Sequence, residues 1–265
     1  MLHYPHIDPI IFRLGPLAVR WYGMMYIIGF FAVHLLVGYQ TKKYQLAKLA
    51  KCYEDLNFFL IICLILGARL GYIFFYNFPY YSTHPLEVFA VWQGGLSFHG
   101  ALLGLLLGGW WFARKHGLNF LATCDAYVVA IPIGLGLGRI GNFINGELFG
   151  RVSEVSWAMV FPGGGPLPRH PSQLYECLLE GVLLFTVLWT LRIFHYRRRW
   201  PAGSLLATFL VGYGLLRILV EQFREPDAQL GFLFNLLTMG QLLSFLMVVA
   251  GLVLFFRPDR KPAEG

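Results

Sequence analysis

Long apolar runs alternate with short polar connections along the whole chain. A run of about 20 mostly apolar residues is long enough to cross a bilayer as a helix. Seven such runs stand out, at 19–40, 55–76, 98–114, 121–138, 173–194, 204–222 and 240–257. In lipid every backbone polar group needs an internal partner, so these runs are expected to be helices. The ten-residue alternation that marks the strands of a membrane β-barrel is not visible. The expected fold is an all-α polytopic membrane protein with about seven transmembrane helices. Residues 1–265 form one integral membrane domain in this reading, with no soluble domain and no convincing internal repeat. The connection 139–172 is the longest on its side, and its FPGGGPLPRHPS (161–172) is rich in turn residues.

Composition agrees with the pattern. Of 265 residues 57% are hydrophobic and 13% charged, against about 25% charged in a soluble domain. Mean hydropathy is +0.59. The N-terminal MLHYPHIDPIIFRLGP lacks the basic region of a signal peptide, so the first apolar run is expected to stay as a span. The formal charge is +7, but the basic residues are not interleaved with aromatic platforms, and no nucleic-acid partner is expected. They sit between spans instead. Lys42, Lys43, Lys48 and Lys51 follow the first run, Arg114 and Lys115 the third, Arg192, Arg197, Arg198 and Arg199 the fifth, and Arg257, Arg260 and Lys261 the seventh. Every lysine lies in these four loops. Positive-inside logic puts them in the cytoplasm, with the N-terminus outside and the C-terminus inside.

The remaining basic residues are all arginine: Arg13, Arg20, Arg69, Arg139, Arg151, Arg169, Arg217 and Arg224. Most fall on the outer side, while Arg69 and Arg217 lie inside apolar runs. Few other charges are apparent deep in the spans. Asp125, near the inner end of the fourth, is read as an anchor or as part of a polar route. The stretch GRIGNFINGELFG (138–150) closes the fourth run with an arginine, two asparagines and a glutamate. Gly138 and Gly141 bracket Arg139, and Asn142, Asn145 and Glu147 follow. This combination predicts a re-entrant or broken helix end lining a polar cavity. Tyr22, Arg69 and His99 reach the same level from other runs. In GYGLLRILVEQFREPD (212–227) a 100° step per residue puts Tyr213, Arg217, Glu221 and Arg224 on one stripe of a helix. Ionisable groups in such places are costly and usually functional.

Two patterns are set aside. GLGRIG (136–141) matches a dinucleotide-binding fingerprint, but it closes a membrane helix and follows no strand. Gly100, Gly104 and Gly108 repeat every fourth residue, which reads as a helix-packing face. The four cysteines, Cys52, Cys63, Cys124 and Cys177, form no CxxC pair and are read as small apolar fillers. No metal site and no cofactor is expected. Of the eight histidines, His99 draws interest because it shares its level with the arginines, and His170 precedes the fifth run.

Guanidinium binds phosphate bidentately and stays charged, so arginines at headgroup level suit a lipid phosphate. They would also stabilise charge on a departing phosphate, and a histidine nearby can take a proton. These residues point to displacement at a phospholipid without identifying the nucleophile.

GRIGNFINGELFG resembles the G-R-x-G-N-F-x-N-x-E-x-x-G signature of the bacterial prolipoprotein diacylglyceryl transferases at every fixed position. The resemblance extends through RWYGMMY (20–26), GARLGYIFFYN (67–77), GGLSFHG (94–100), RHPSQLYE (169–176) and GYGLLRILVEQFREPDAQ (212–229). It implies transfer of the diacylglyceryl group of phosphatidylglycerol to the lipobox cysteine of a prolipoprotein signal peptide. A thioether forms and glycerol phosphate leaves. It further implies a multi-pass protein of the bacterial inner membrane with its active site facing the periplasm. The N-terminus would be periplasmic, the C-terminus cytoplasmic, and 139–172 a small periplasmic head. Arg139 and Arg217 would hold the lipid phosphate, and His99 would be the base for the thiol. Tyr22, Asn142, Glu147, Tyr213, Glu221 and Arg224 match residues that the family treats as important. Glu221 and Arg224 would orient the arginines or gate the site. Arg69 is placed with the substrate-binding group. Gly150, with Gly138, Gly141 and Asn145, is read as structural. The chain departs from the family in a shorter loop between Arg151 and Arg169, which touches peptide entry and not the signature.

Other classes fit less well. A lipid transporter would use the same arginines but needs a polar route inward. A phospholipid hydrolase or phosphatidyl transferase needs acidic metal-binding motifs or a serine or cysteine nucleophile. A scaffold has no need of the arginines.

Overall fold

The computed structural model describes residues 2–15, 17–90, 94–225, 232–233 and 237–257. The stretch 226–229 and the basic pair Arg260 and Lys261 lie outside the described residues. Helices dominate, and each predicted apolar run has become one. The runs map in order to α1 (Trp21–Lys43), α3 (Tyr53–Tyr76), α5 (Phe98–Lys115), the pair α6 (Phe120–Val128) and α7 (Ile131–Asn145), the rod Ser172–Arg197, α10 (Ser204–Val220) and α11 (Met239–Phe255). Short helices α2 (Ala47–Ala50) and α4 (Phe78–Thr83) fill the connections. The rod is built from α8 (Ser172–Glu176), a π-helical stretch at Cys177–Leu183 and α9 (Leu184–Arg197).

Among the described residues three helices are long and apolar enough to cross a membrane: Trp21–Lys43, Tyr53–Tyr76 and Ser172–Arg197. The pair Phe120–Val128 and Ile131–Asn145 makes a fourth if its two parts count as one span. Helices α10 and α11 are apolar but shorter. The protein is thus a helical membrane protein. Phe58, Phe75, Leu107 and Val253 are among many exposed large apolar side chains, as lipid-facing surfaces require.

The all-α expectation needs one correction. Two small antiparallel pairs are present, β1 (Ile10–Leu14) with β2 (Leu17–Arg20) and β3 (Phe232–Leu233) with β4 (Leu237–Thr238). The first occupies the start of the predicted run 19–40. Gly15 turns this hairpin with a φ of 59°, a conformation that costs glycine little.

The chain divides into two compact units, one taking in residues up to Val37 and from Cys124 onward, the other Gly38–Thr123. In the second unit α3 and α5 meet through glycines. A methyl group on Gly71 would lie 2.7 Å from the Cα of Gly100, and Gly104 rests on the carbonyl of Cys63. Lipid tails offer no hydrophobic gain on helix association, so close backbone approach supplies the contact. Gly108 belongs to the same face and touches the Cys63 sulfur.

In the first unit Val128, Val129, Leu184, Leu188, Leu205 and Phe209 form a buried cluster among α6, α9 and α10. Asp125 is wholly buried there. Its carboxylate accepts from the backbone N–H of Gly203 at 2.6 Å and Leu206 at 2.8 Å. It therefore caps α10 from a neighbouring helix and acts as an anchor. The connection after α7 forms a small packed lobe around Tyr4, Met159 and Phe161, with Phe143 and Phe149 against them.

Candidate active site

Helix α7 carries most of the signature. It is unbroken from Ile131 to Asn145, and the broken or re-entrant element expected here takes the form of a bend before it. The 45° bend falls earlier, between α6 and α7, where Pro132 opens the new helix. Proline fits a first turn and cannot continue the preceding ladder. Helix α7 ends at Gly146, whose φ of 67° is the left-handed stop common after helices. Gly141 lets Tyr22 of α1 approach, since a Cβ there would lie 2.8 Å from the ring. Gly138 faces open space.

Glu147 accounts for the spacing of the asparagines. Its Oε1 accepts from Nδ2 of Asn142 at 2.9 Å and from Nδ2 of Asn145 at 3.0 Å. Asn142 and Asn145 lie on successive sides of the last turn, and the chain folds back past Gly146 to bring the carboxylate over both. The N-terminal end of α8 closes the turn. Gln173 donates to the carbonyl of Glu147 at 2.7 Å, and Ser172 to that of Leu148 at 3.1 Å. Gly150 pairs with Arg224 in a β-bridge. A Cβ at Gly150 would meet the carbonyls of Phe223 and His170 and the Cβ of His170, so only a bare backbone fits.

The arginines converge on a residue absent from the sequence reading. Glu176, at the end of α8, is wholly buried. Its Oε2 lies 2.7 Å from Nε of Arg139 and 2.7 Å from Nη1 of Arg217. Nη1 of Arg224 stands 4.0 Å from the same oxygen. Arg217 also faces Glu180 at 3.6 Å and Glu221 at 2.8 Å. Tyr213, one turn before Arg217 on α10, is within electrostatic reach of Arg139, Glu176, Glu180 and Arg217. Three guanidinium groups and three carboxylates thus share one buried cluster. Its charges balance when all are ionised, which is how a membrane interior tolerates them. Arg139 is the most exposed guanidinium of the set, at 20% of its side chain. Glu176 meets it at Nε.

The Arg217–Glu221 pairing at i,i+4 is present as the helical spacing predicts. Arg224 is a correction. Helix α10 ends at Val220, Glu221 is its C-cap, and the chain turns through Phe223. The 100° step no longer applies beyond that point. Arg224 leaves the stripe, enters the bridge with Gly150, and reaches the cluster by that route.

His99 and Arg69 belong to the second unit. His99 is exposed at the second position of α5, edge-on to Phe98. Arg69 is buried, and its guanidinium is spent on backbone. It donates to the carbonyls of Glu87, Val88 and Gly94 at 2.6, 2.8 and 2.7 Å and to Gly95 at 3.3 Å, and it lies over the ring of Tyr81. This arginine ties residues 87–88 and 94–95 to α3.

Glu176 and Glu180 were legible in principle. They stand four apart inside the run 173–194, and charges buried in a span need partners. With them, buried charge in the apolar runs is not, as the sequence suggested, confined to Arg69 and Arg217. The π-helical stretch carrying Glu180 leaves no such trace. There Gly181 packs on Gly136 of α7, with a would-be Cβ 2.8 Å from its Cα. π-Turns of this kind gather at functional sites.

Fold and cluster together define a helical membrane protein with a buried cluster of three arginines and three glutamates. Residues 9–257 match the family model described as prolipoprotein diacylglyceryl transferase. The phosphatidylglycerol–prolipoprotein diacylglyceryl transferase of Desulfotalea psychrophila is 57% identical over 95% of this chain and 93% of its own length. Those of Geobacter sulfurreducens and Pseudomonas aeruginosa are 54% and 49% identical, each over at least 98% of both chains. The chain belongs to the prolipoprotein diacylglyceryl transferase family.

Proposed function

We propose that this chain transfers the diacylglyceryl group of phosphatidylglycerol to the cysteine sulfur of a prolipoprotein, the first step of lipoprotein maturation. One observation carries the reading, beyond family membership. Arg139 and Arg217 come from different helices and meet at 2.7 Å on a single oxygen of Glu176. Two guanidinium groups aimed at one point make a ready anion site, and a phosphodiester offers the oxygen atoms to share it.

In the reaction the cysteine thiolate attacks the glyceryl carbon bonded to the phosphate oxygen. A carbon–sulfur bond forms, the carbon–oxygen bond breaks, and its electron pair leaves with glycerol phosphate. The thiol proton goes to a base. Arg139 and Arg217 meet the charge that grows on the leaving phosphate. The base is assigned to His99 on the resemblance alone. Glu221 and Arg224 orient the arginines, and Tyr22, Tyr213, Asn142 and Glu147 shape the site around the headgroup. Arg69, with its donors on backbone carbonyls, is moved from substrate binding to the frame of the second unit.

The reading includes seven crossings of the bacterial inner membrane by one integral domain, 1–265. The N-terminus and the head at 139–172 are periplasmic, the C-terminus is cytoplasmic, and the lipobox peptide arrives from the periplasmic side. Its support is the correspondence of the apolar runs with helices and the basic loops after alternate helices.

The test uses purified protein in detergent with phosphatidylglycerol and a lipobox peptide, and follows glycerol phosphate release. Release should need the peptide thiol and should be lost in Arg139→Ala. Intact lipid in the presence of folded protein and a peptide known to be an acceptor would overturn the reading in favour of a lipid carrier.

A further inference from the structure

Glu221 is held from the far side by the start of α11. Its Oε1 accepts from the hydroxyl of Thr238 at 2.9 Å, while its Oε2 faces Arg217 at 2.8 Å. Thr238 is 3% exposed and Glu221 5%, so water competes little for either group. Thr238 is also the N-cap of α11, accepting from Gln241 N–H at 3.2 Å. One hydroxyl therefore ties the helix end to the carboxylate. Gly240 completes the seat, since a Cβ there would lie 2.9 Å from both carboxylate oxygens. The positive end of α11 adds an attraction for the anion. Helix α11 is itself locked to α10 below this point, where Gly214 rests on the carbonyl of Ser244.

We infer that Thr238 and Gly240 are positioning residues for the transfer reaction, acting on Arg217 through Glu221. The inference rests on the reading of Arg217 as a phosphate-holding residue. Arg217 is drawn by Glu176 and, at 3.6 Å, Glu180 through Nη1 and by Glu221 through Nη2. Fixing Glu221 with a third group sets the plane of the guanidinium and leaves less freedom to follow Glu176 when a phosphate competes for it. Preorganised donors of this kind act mainly on the transition state, so the effect should fall on kcat more than on KM.

The experiment is a double-mutant cycle. Thr238→Val keeps the shape and removes the hydroxyl. It should lower kcat about tenfold, the scale expected for one hydrogen bond to a charged group, with KM for phosphatidylglycerol changed less than about twofold. Thr238→Ser restores the hydroxyl and should recover most of the loss. In a Glu221→Gln background Thr238→Val should have little further effect. Gly240→Ala, which crowds the carboxylate, should reproduce the kcat loss. Thr238→Val also loses the N-cap and should melt somewhat lower; elution as a single species in detergent, with melting well above the assay temperature, excludes misfolding as the cause. An unaffected kcat in Thr238→Val would overturn the inference, as would equal losses in both backgrounds. Arg217→Ala runs in parallel. If it keeps full activity, the phosphate reading itself fails. If it is inactive while Thr238→Val is normal, only the present inference falls.

Discussion

Arg69 and Arg217 are alike in the sequence, each an arginine inside an apolar run, and the protein holds them in opposite ways. Arg69 is cradled by main-chain carbonyls from 87–88 and 94–95. Arg217 is held by the carboxylates of Glu176, Glu180 and Glu221. Carbonyl dipoles are fixed by the backbone and carry no net charge, so nothing anionic gains by replacing them. A carboxylate is a monoanion on a side chain, and a phosphate can compete for the same donors. The first arrangement is a joint, while the second is, in the proposed reading, a site where an anion can exchange.

That contrast is open to attack. Arg139→Ala and Arg217→Ala should each lower transfer by at least about a hundredfold, with the protein still monodisperse in detergent. Replacement by lysine should rescue little, because an ammonium lacks the fork. Arg69→Ala should act on the frame instead. It leaves the carbonyls of Glu87, Val88 and Gly94 without their donor and should destabilise the protein by about 1–3 kcal/mol, read as a lower melting temperature at unchanged KM for phosphatidylglycerol. If Arg69→Ala raised KM without loss of stability, the two arginines would have to be treated alike.

Glu176→Gln sharpens the comparison. It removes the anion between Arg139 and Arg217 and makes the cluster one charge more positive. Glycerol phosphate should then inhibit more strongly, by about tenfold, and both KM and kcat should fall as product release slows. Weaker inhibition would mean that Glu176 builds the anion site and does not compete for it.

The smallest effect belongs to the connection between α7 and α8. His170, outside the spans, has its pKa lowered by burial, and its Nδ1 faces the Tyr175 hydroxyl at 3.0 Å. The unfolded histidine, with a pKa of about 6.5, binds the proton more readily than the folded one. Stability is therefore complete above that value and declines as pH falls below it. His170→Gln should flatten that acid-side slope in melting experiments and leave the neutral-pH melting temperature nearly unchanged.

The helices were readable because apolar length alone specifies a span. The signature arginine and the Arg217–Glu221 pair were readable because charge in such a run is conspicuous, and because four residues make one helical turn. Glu176 and Glu180 carried the same signal and were missed when the arginines alone were weighed. Arg224 was misplaced because the angular step assumes a helix that stops at Val220. The Arg69 cradle had no signal at all, since it is made of carbonyls that every residue possesses. Thr238 is distant from Glu221 in sequence type and pattern, and only the packing of α11 on α10 joins them.

One contact bears on how the molecule is made. The hydroxyl of Tyr4 donates to the carbonyls of Phe143 and Ile144, at 2.6 and 3.0 Å, across sequence separations of 139 and 140 residues. Both carbonyls belong to the last turn of α7; that of Phe143 also accepts from the N–H of Gly146 at 3.0 Å, while Ile144 lies where the helical ladder stops. Tyr4 leaves the ribosome early, yet its acceptors do not exist until more than half of the chain has followed. Closing so wide a loop is slow and comes only after the local helices have formed. The end of the signature helix is thus sealed late in biogenesis. A newly inserted chain should pass through a stage in which its helices are in place and the end of α7 still lacks the Tyr4 hydroxyl.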